Sequence, residues 1–267
     1  MPDLHTFWRD LHLIRTTNPL VLNITNYVVT NTTANALLAL GASPIMSFAK
    51  EEVEELVGLS SSLVVNVGTL NKPDIDVMAK AWTAANKKGI PVVLDPVGAG
   101  ASRLRIETPL TLLSRYRPTI IRGNASEIMT LAGEAGEAKG VDSTRSTDSA
   151  VIGAKALAQV HGCVVCASGA EDVVTDGTDV YRIYGGHELM PFVTGLGCTA
   201  TAICAAFAAV NKDYLEATVH GMAAISMAGS MAADKADGPG TLQLHLYDAF
   251  YSMDKVDAKR LFNVNSI

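Results

Sequence analysis

The feature that most constrains the fold of this chain is a regular alternation of short apolar runs with longer segments of helical periodicity. The apolar runs, bounded by turn residues, predict strands at 19–24, 43–48, 62–67, 90–95, 119–122 and 163–168. The segments between them predict helices at 31–40, 50–59, 73–88, 103–115, 124–132 and 147–160. Because the runs are almost continuously hydrophobic, the sequence predicts an α/β fold whose central, mostly parallel sheet is covered by helices on both faces.

The second half of the chain departs from this alternation in two places. The stretch DVVTDGTDVYRIYGG, residues 172–186, predicts a small hairpin with Asp-Gly at its turn. Two or three helices are predicted between residues 198 and about 253. Since no repeat, low-complexity tract or linker divides the sequence, residues 1–267 are predicted to form a single domain.

Composition argues against several classes of function. Hydrophobic residues make up 48% of the chain and charged residues 18%, which suits a sizeable core. Lys and Arg number 21 against 27 Asp and Glu, with no basic run, so no nucleic-acid partner is expected. The first 20 residues lack the apolar core of a signal peptide, and charges at 211–216 interrupt the long apolar stretch 198–233. We therefore expect a cytoplasmic protein without a membrane span.

Several familiar motifs are absent or explained by packing. Cys163 and Cys166 have the C-x-x-C spacing of redox or zinc sites, but a strand directs residues i and i+3 to opposite faces, so both are predicted to be core residues. The six His residues are too scattered along the chain to predict a zinc site. Neither a P-loop nor a G-x-G-x-x-G fingerprint is present.

Six polar or glycine-containing loops follow strand ends or lie close to them. They are NITN (23–26), NVGT (66–69), DPVGAGAS (95–102), RGNASE (122–127), SGAEDVV (168–174) and TGLGC (194–198). Ligands of open parallel sheets bind at the carboxyl ends of the strands. Six such loops therefore predict a ligand site along that edge.

Two of these loops carry acidic residues that suit a metal. Asp95 ends a predicted strand, and a carboxylate there suits a divalent cation and phosphate oxygens, although a solvated helix-entry turn is the alternative. Asn124 and Glu127, three residues apart at a helix start, predict a capping box, and the same pair could hold waters around Mg²⁺.

Two further side chains suit a nucleotide. Arg122 precedes Gly123 near a strand end, where a guanidinium can grip a phosphate. Ser168 follows the last predicted parallel strand, and its hydroxyl can donate to a phosphate. A structural role at a strand end is the alternative for Ser168.

The TGLGC loop is the most specific local signal. Backbone N–H groups of Gly195, Leu196, Gly197 and Cys198 at a helix start predict a pocket for the negative charge of a transferred phosphoryl group. The same field is expected to lower the pKa of the Cys198 thiol, which would then accept a proton from a substrate hydroxyl. The alternative is a small core residue at the start of a helix.

Taken in order, these motifs resemble those of the hydroxyethylthiazole kinase family. The resemblance runs from NPLVLNITNYVVTNTTANALLALGASPIM through NVGTL, LDPVGAGAS, IRGNASEI, DVVTDG and VTGLGC to GPGT (238–241). It implies a ribokinase-like fold with three layers, α/β/α. It also implies ATP-dependent phosphorylation of the hydroxyl of 4-methyl-5-(2-hydroxyethyl)thiazole, in thiamine salvage, by a homotrimer whose substrate sites are shared between neighbouring subunits.

The resemblance assigns roles residue by residue. It implies that ATP is contacted by Arg122 and Ser168, and the thiazole by Met46, Gly195 and Asn26. It implies that Mg²⁺ is organised by Asp95 and Glu127, and that the catalytic residue is Cys198. Three residues depart from the family pattern: Leu22 replaces a polar residue, Ser168 a Thr and Leu196 a small residue.

Two other functions stay open at this point. A sugar or hydroxymethylpyrimidine kinase of the same fold would share the phosphate-binding end, but is expected to carry Asp at position 198. A nucleotide-binding or metabolite-sensing protein without turnover is the second alternative. The presence of Asp95, Glu127, Arg122 and Cys198 argues against such a decayed site.

Overall fold

The structure, a computed structural model, describes residues 2–134 and 147–267. The strands are β1 Leu20–Ile24, β2 Ser43–Met46, β3 Ser62–Asn66, β4 Val92–Asp95, β5 Ile120–Asn124, β6 Val164–Ser168, β7 Asp172–Thr175, β8 Val180–Ile183 and β9 Val264–Ser266. The α-helices are α1 Leu4–Thr17, α2 Thr30–Leu40, α3 Val53–Leu59, α4 Lys72–Lys88, α5 Arg103–Leu113, α6 Ala125–Glu134, α7 Thr147–His161, α8 Leu196–Val210, α9 Tyr214–Ala233, α10 Pro239–Ser252 and α11 Lys255–Leu261. A 3₁₀ turn precedes α8 at Met190–Phe192.

Each strand and helix predicted from the alternating pattern is present, with ends that shift by one to three residues. The predicted hairpin is β7 and β8. Helix α1 was not predicted, although Asp3 forms a capping box with Thr6 at its start and Phe7, Leu11 and Ile14 are buried along one side. Strand β9 was not predicted either, because its three residues form a strand only by pairing with β8.

The sheet has the order β2-β1-β3-β4-β5-β6-β7-β8-β9 within the described ranges. Strands β1 to β6 pair in parallel, and β7, β8 and β9 add antiparallel strands at one side. The prediction of a mostly parallel sheet is confirmed. The chain places β2 on one side of β1 and β3 on the other, which makes the carboxyl ends of β1 and β3 a topological switch point.

Helices cover both faces of the sheet. Val21, Val64 and Val93 face the layer that contains α1, α2, α8, α9 and α10. Leu22, Leu63 and Leu94 face the layer built from α3 to α7. The three-layer α/β/α arrangement is therefore confirmed. Both faces of the parallel strands are buried under helices, as their continuous hydrophobicity indicated.

The cysteines of the C-x-x-C pair lie in separate layers of the core. Cys163 is buried against the α3 to α7 layer and Cys166 against the opposite layer. Both are free thiols, and burial raises the pKa of Cys163 to about 12. The prediction that they are core residues is confirmed.

A buried polar cluster ties α1 to α8 and α9, away from the strand ends. Asp10 Oδ2 lies 2.8 Å from His220 Nδ1 and accepts a hydrogen bond of 2.7 Å from Asn211 Nδ2. Arg9 bonds both Asp10 and Glu216. Burial raises the pKa of Asp10, but hydrogen bonds from these neighbours outweigh it and the net pKa is lowered. The fold thus brings one of the scattered His residues next to two carboxylates whose hydrogen bonds are already supplied by protein groups.

None of the helices in the described ranges is both long and apolar enough to cross a bilayer. The prediction of a single domain over 1–267 includes residue 1 and residues 135–146, which lie outside the described residues, and it stays a prediction.

Candidate active site

The carboxyl ends of neighbouring strands place the predicted site residues along one edge of the sheet. Asn26 follows β1, Asp95 ends β4 and Ser168 ends β6. Arg122 lies within β5, two residues before its end, and pairs in register with Cys166 of β6. Parallel pairing therefore brings together side chains that are far apart in the sequence.

Helix α8 begins at this edge, as the TGLGC loop predicted. Gly195 is its N-cap residue with φ of 81°, a left-handed conformation that favours glycine. The bond from Thr199 N to Gly195 O opens the helical ladder, so the amides of Leu196, Gly197 and Cys198 precede it. These amides and the helix dipole make the start of α8 suitable for an anion.

Arg122 reaches from β5 to the start of α8. It is 7% exposed, and its Nη2 donates to Ser168 Oγ at 2.7 Å. A Cβ on Gly197 would lie 2.9 Å from Nη1, so the guanidinium packs directly against the first turn of the helix. Nε has no hydrogen-bond partner among the described residues, which is unusual for a buried group and leaves a donor for a ligand.

The charge of Arg122 is balanced by the buried carboxylate of Asp95 and the half-buried carboxylate of Asp172. Burial opposes the charged guanidinium, but the negative charge of Asp95, with smaller effects of other groups that include Asp172, raises the net pKa of Arg122. Burial also raises the pKa of Asp172 to about 6, against the attraction of Arg122. Asp172 Oδ1 accepts a 3.1 Å hydrogen bond from Gly169 N and so fixes the turn that follows Ser168.

Asp95 is held by one of its two carboxylate oxygens. Its Oδ2 accepts hydrogen bonds from Asn66 Nδ2 at 2.7 Å and from Thr201 Oγ1 at 2.8 Å. Burial raises the pKa of Asp95 to about 6, and the nearby charge of Glu127 adds to this, while Arg122 opposes it. A buried carboxylate with another negative charge nearby is a place where a cation is stabilised.

Glu127 forms the predicted capping box with Asn124. Asn124 N donates to Glu127 Oε2 at 2.8 Å, and Glu127 N donates to Asn124 Oδ1 at 2.9 Å. Glu127 Oε1 accepts a further 2.8 Å bond from Gly98 N in the loop after Asp95. The carboxylate is thus fixed beside the Asp95 loop and retains lone pairs for water.

The donor set of Asp95 and Glu127 fits a hard divalent cation. Both residues offer carboxylate oxygens, and the charge of Glu127 raises the pKa of Asp95 when no cation separates them. The amides that already bond both oxygens of Glu127 favour contact through water rather than direct ligation. These two residues could hold a divalent cation.

Cys198 lies in the first turn of α8, but its predicted acidity is wrong. Burial raises the pKa of the Cys198 thiol to about 11, and the charge of Asp95 acts in the same direction. The nearby amides of Asn66 and Asn26 lower it by less, and Asn26 Nδ2 donates to Sγ at 3.3 Å. Desolvation by the closed end of the site therefore exceeds the stabilisation that a helix start gives a thiolate.

The predicted thiazole contacts occupy two positions. Gly195 packs against Val29 at the start of α2, which brings the segment after β1 and its Asn26 close to α8. Met46 ends β2 in register with Asn23 and is half-buried, but β1 and β3 separate its strand from that of Asp95. Met46 thus lies at the same edge of the sheet and at its outermost strand.

The three departures from the family pattern have different surroundings. Leu22 is fully buried in the core on the α3 to α7 side, opposite the layer that contains α8. Ser168 keeps the hydroxyl, which accepts from Arg122. Leu196 is partly buried and packs on the core beneath α8.

Sequence reasoning missed three residues that shape this edge. Asn66 and Thr201 hold the carboxylate of Asp95. Arg105 donates to Val97 O at 2.9 Å and to Gly68 O, which joins the loops after β3 and β4. Asn66 lay in a loop that the sequence did single out, whereas no local pattern marks Thr201 or Arg105.

Comparison with known proteins gives the relationship of the chain. A family model described as the hydroxyethylthiazole kinase family matches residues 11–256. The chain belongs to the hydroxyethylthiazole kinase family. Relatives named hydroxyethylthiazole kinase include one from Nitratidesulfovibrio vulgaris strain Miyazaki F, 56% identical over 97% of both chains. Another from Oleidesulfovibrio alaskensis is 54% identical over 96% of both.

Solved structures agree with this membership. The hydroxyethylthiazole kinase protein from Pyrococcus horikoshii OT3 superposes with a TM-score of 0.92 at 39% identity, over 98% of this chain and 99% of that one. Pyridoxal kinase from Staphylococcus aureus in complex with ADP has a TM-score of 0.67 at 16% identity, over 93% and 99% of the two chains. The second likeness concerns the fold alone, which is ribokinase-like.

Proposed function

We propose that the chain is a kinase that transfers the γ-phosphoryl group of ATP to the hydroxyl of 4-methyl-5-(2-hydroxyethyl)thiazole, a step of thiamine salvage. The observation that carries this proposal is the start of α8, where the Cys198 thiol lies beside helix amides and Arg122 packs on Gly197. Membership of the hydroxyethylthiazole kinase family supports the choice of acceptor.

The site favours a mechanism based on position and charge. Phosphoryl transfer passes through a loose transition state, in which charge spreads over the oxygens of the transferred group. The amides of Leu196, Gly197 and Cys198 and the guanidinium of Arg122 would stabilise that charge. Ser168, which bonds Arg122, would contact the nucleotide. Mg²⁺ held by Asp95 and Glu127 would neutralise phosphate charge when bound.

Cys198 would orient the hydroxyl of the acceptor alcohol as a protonated thiol rather than as a thiolate. With a pKa of about 11, its thiol keeps its proton at neutral pH in the ligand-free protein. Since proton loss from the alcohol comes late in a loose transition state, no standing base is required. The sulfur would therefore orient the hydroxyl towards the phosphoryl group. Only the small thiolate fraction would accept the proton directly, and otherwise the proton would pass to an oxygen of the transferred phosphoryl group.

Recognition of the thiazole would depend mainly on apolar contact. Met46 would supply a deformable wall, and Gly195 and Asn26 would line the same pocket. The outer position of Met46 in the sheet favours a pocket shared with a neighbouring subunit of a homotrimer, in the cytoplasm. Apolar pockets discriminate weakly by one methyl group, so related alcohols are expected to react.

A coupled ADP-release assay with MgATP tests the proposal. The thiazole alcohol is compared with a panel of sugars and with hydroxymethylpyrimidine. We expect turnover with the thiazole alcohol and loss of roughly 10²-fold in Cys198→Ala, the range for removal of a general base. Turnover with sugars but not with the thiazole would assign the chain to another activity. ATP binding without turnover of any alcohol would indicate a sensing protein.

A further inference from the structure

Asn66 lies between the carboxylate that would hold the metal and the thiol that would face the acceptor. It ends β3 in register with Asp95, the last residue of β4, so both side chains leave the sheet on the same side. The side chain is 1% exposed, and its Nδ2 donates to Asp95 Oδ2 at 2.7 Å. Asn66 is therefore part of the buried floor of the site.

The carboxamide oxygen of Asn66 is equally constrained. Oδ1 accepts hydrogen bonds from Gly68 N at 3.0 Å and from Asn26 Nδ2 at 2.9 Å. The same Asn26 nitrogen lies 3.3 Å from Cys198 Sγ. Bonds at both ends of the amide fix its plane, and with it the separation between carboxylate and thiol.

We propose that Asn66 is a positioning residue for phosphoryl transfer, which holds the Asp95 carboxylate and the Cys198 thiol in a fixed relative position through one buried carboxamide. This inference rests on the proposed function, because it assigns Asn66 to the same site. Asn66 acts through Asp95 and Asn26, and its removal is expected to misplace two groups at once.

Thr201 offers a comparison, because it shares one of the two contacts of Asn66. It donates to the same oxygen of Asp95 and to Gly197 O at 3.3 Å, and within the described part of the chain it makes no hydrogen bond to Asn26. Loss of Thr201 therefore removes a bond to the carboxylate but keeps the link from Asn66 through Asn26 to the sulfur, whereas loss of Asn66 removes both. Partners that orient metal ligands typically contribute 10- to 100-fold to activity or metal affinity, and we expect a loss of that order for Asn66.

The test compares Asn66→Leu with Thr201→Val. Leucine is similar in shape to asparagine but can neither donate nor accept a hydrogen bond. The ligand-free proteins are alkylated with iodoacetamide at pH 9, and the rate of modification of Cys198 is measured by mass spectrometry. Asn66→Leu is expected to react at least about threefold more slowly than wild type. The reason is that Asn66 holds the Asn26 amide that donates to the sulfur, and such a donor favours the thiolate. Thr201→Val is expected to change the rate less than Asn66→Leu does, because it keeps the Asn26 donor in place and alters only how Asp95 is held. Equal alkylation rates in all three proteins would overturn the proposal.

Kinetics supply the second measurement. We expect Asn66→Leu to lower kcat by about 10- to 100-fold, with KM for the alcohol within threefold of wild type. In the double variant Asn66→Leu/Cys198→Ala, the combined loss of kcat is expected to be smaller than the product of the two single losses, since part of the Asn66 effect passes through Cys198. Multiplicative losses would indicate that Asn66 does not act through Cys198.

Two controls separate positioning from folding. Asn86→Ala removes an amide that makes two hydrogen bonds to the Arg117 backbone. Arg117 precedes the amino end of β5, at the edge of the sheet opposite the site, so kcat is expected to stay unchanged. Asn66→Ser replaces the leucine variant if that variant does not fold, with the same expected directions. If wild type does not phosphorylate the thiazole, the proposed function fails, and the alkylation comparison still decides whether Asn66 orders the thiol.

Discussion

The site is expected to reduce the stability of the ligand-free protein, and Asp95→Asn tests this directly. Asn is nearly isosteric with Asp, and its carbonyl oxygen can still accept from Asn66 and Thr201. The substitution therefore removes the charge and keeps most of the geometry. We expect the variant to be more stable than wild type above pH 6, although a carboxylate of the proposed metal site is lost.

The magnitude follows from the pKa of Asp95, which burial raises from 3.8 to about 6 despite the attraction of Arg122. A shift of about two units corresponds to about 3 kcal/mol between the charged and neutral forms. Because the folded protein binds this proton more tightly than the unfolded chain, the cost is complete above pH 6. It decreases as the pH falls from about 6 to 4 and is absent below that. We expect Asp95→Asn to gain up to about 3 kcal/mol at pH 8.

Urea unfolding at one fixed protomer concentration measures this difference at pH 8, 6 and 4 without metal or nucleotide. Asp76→Asn, the same change at an exposed position of α4, is the control and is expected to stay within about 0.5 kcal/mol of wild type. Turnover of Asp95→Asn is expected to fall by roughly 10²-fold or more. An Asp95→Asn variant that is less stable than wild type at pH 8, or a difference that does not depend on pH, would show that the charge of Asp95 does not destabilise the ligand-free protein.

Three further predictions concern other parts of the structure. Gly197→Ala places a methyl group 2.9 Å from Arg122 Nη1 and is expected to raise KM for ATP and lower kcat about as Arg122→Ala does. The control Gly153→Ala, whose methyl group makes ordinary contacts of 3.7 Å, is expected to leave the kinetics unchanged. Equal kinetics of the Gly197 and Gly153 variants would show that packing of Arg122 on Gly197 is unimportant for transfer. Cys198→Asp is expected to stay active in the ADP-release assay, and a folded but inactive variant would contradict the role given to the sulfur. Asp10→Ala is expected to lower the free energy of unfolding by about 1–3 kcal/mol, because it leaves the buried polar groups of His220 and Asn211 without their acceptor, with kcat unchanged in the folded protein. A loss under about 0.5 kcal/mol would show that the cluster contributes little.

The central sheet could be predicted because its signal is local. Runs such as 62–67 and 90–95 are continuously apolar, and that pattern depends only on burial at both faces. Strand β9 and the docking of α1 could not be predicted, since three residues at the end of the chain become a strand only against β8. The buried partners of Asp10 likewise come from residues some 200 positions away.

The site could be predicted in its parts but not in its electrostatics. Helix starts and strand ends marked Asp95, Arg122 and Cys198, because glycine and turn residues are visible in a sequence. The acidity of Cys198 was wrong because the dipole of α8 is a local property, whereas the burial that raises the thiol pKa to about 11 comes from the whole site. Asn66 was missed as a partner of Asp95 because strand register is not visible in one strand alone.

A crystal structure with a non-hydrolysable ATP analogue, Mg²⁺ and the thiazole alcohol would show whether the start of α8 is the site of phosphoryl transfer. We expect the γ-phosphate to lie against the amides of residues 196–198 and within reach of Arg122. We also expect a hydrogen bond between Cys198 Sγ and the alcohol oxygen. A sulfur directed into the core, or a phosphate bound away from the start of α8, would contradict these expectations.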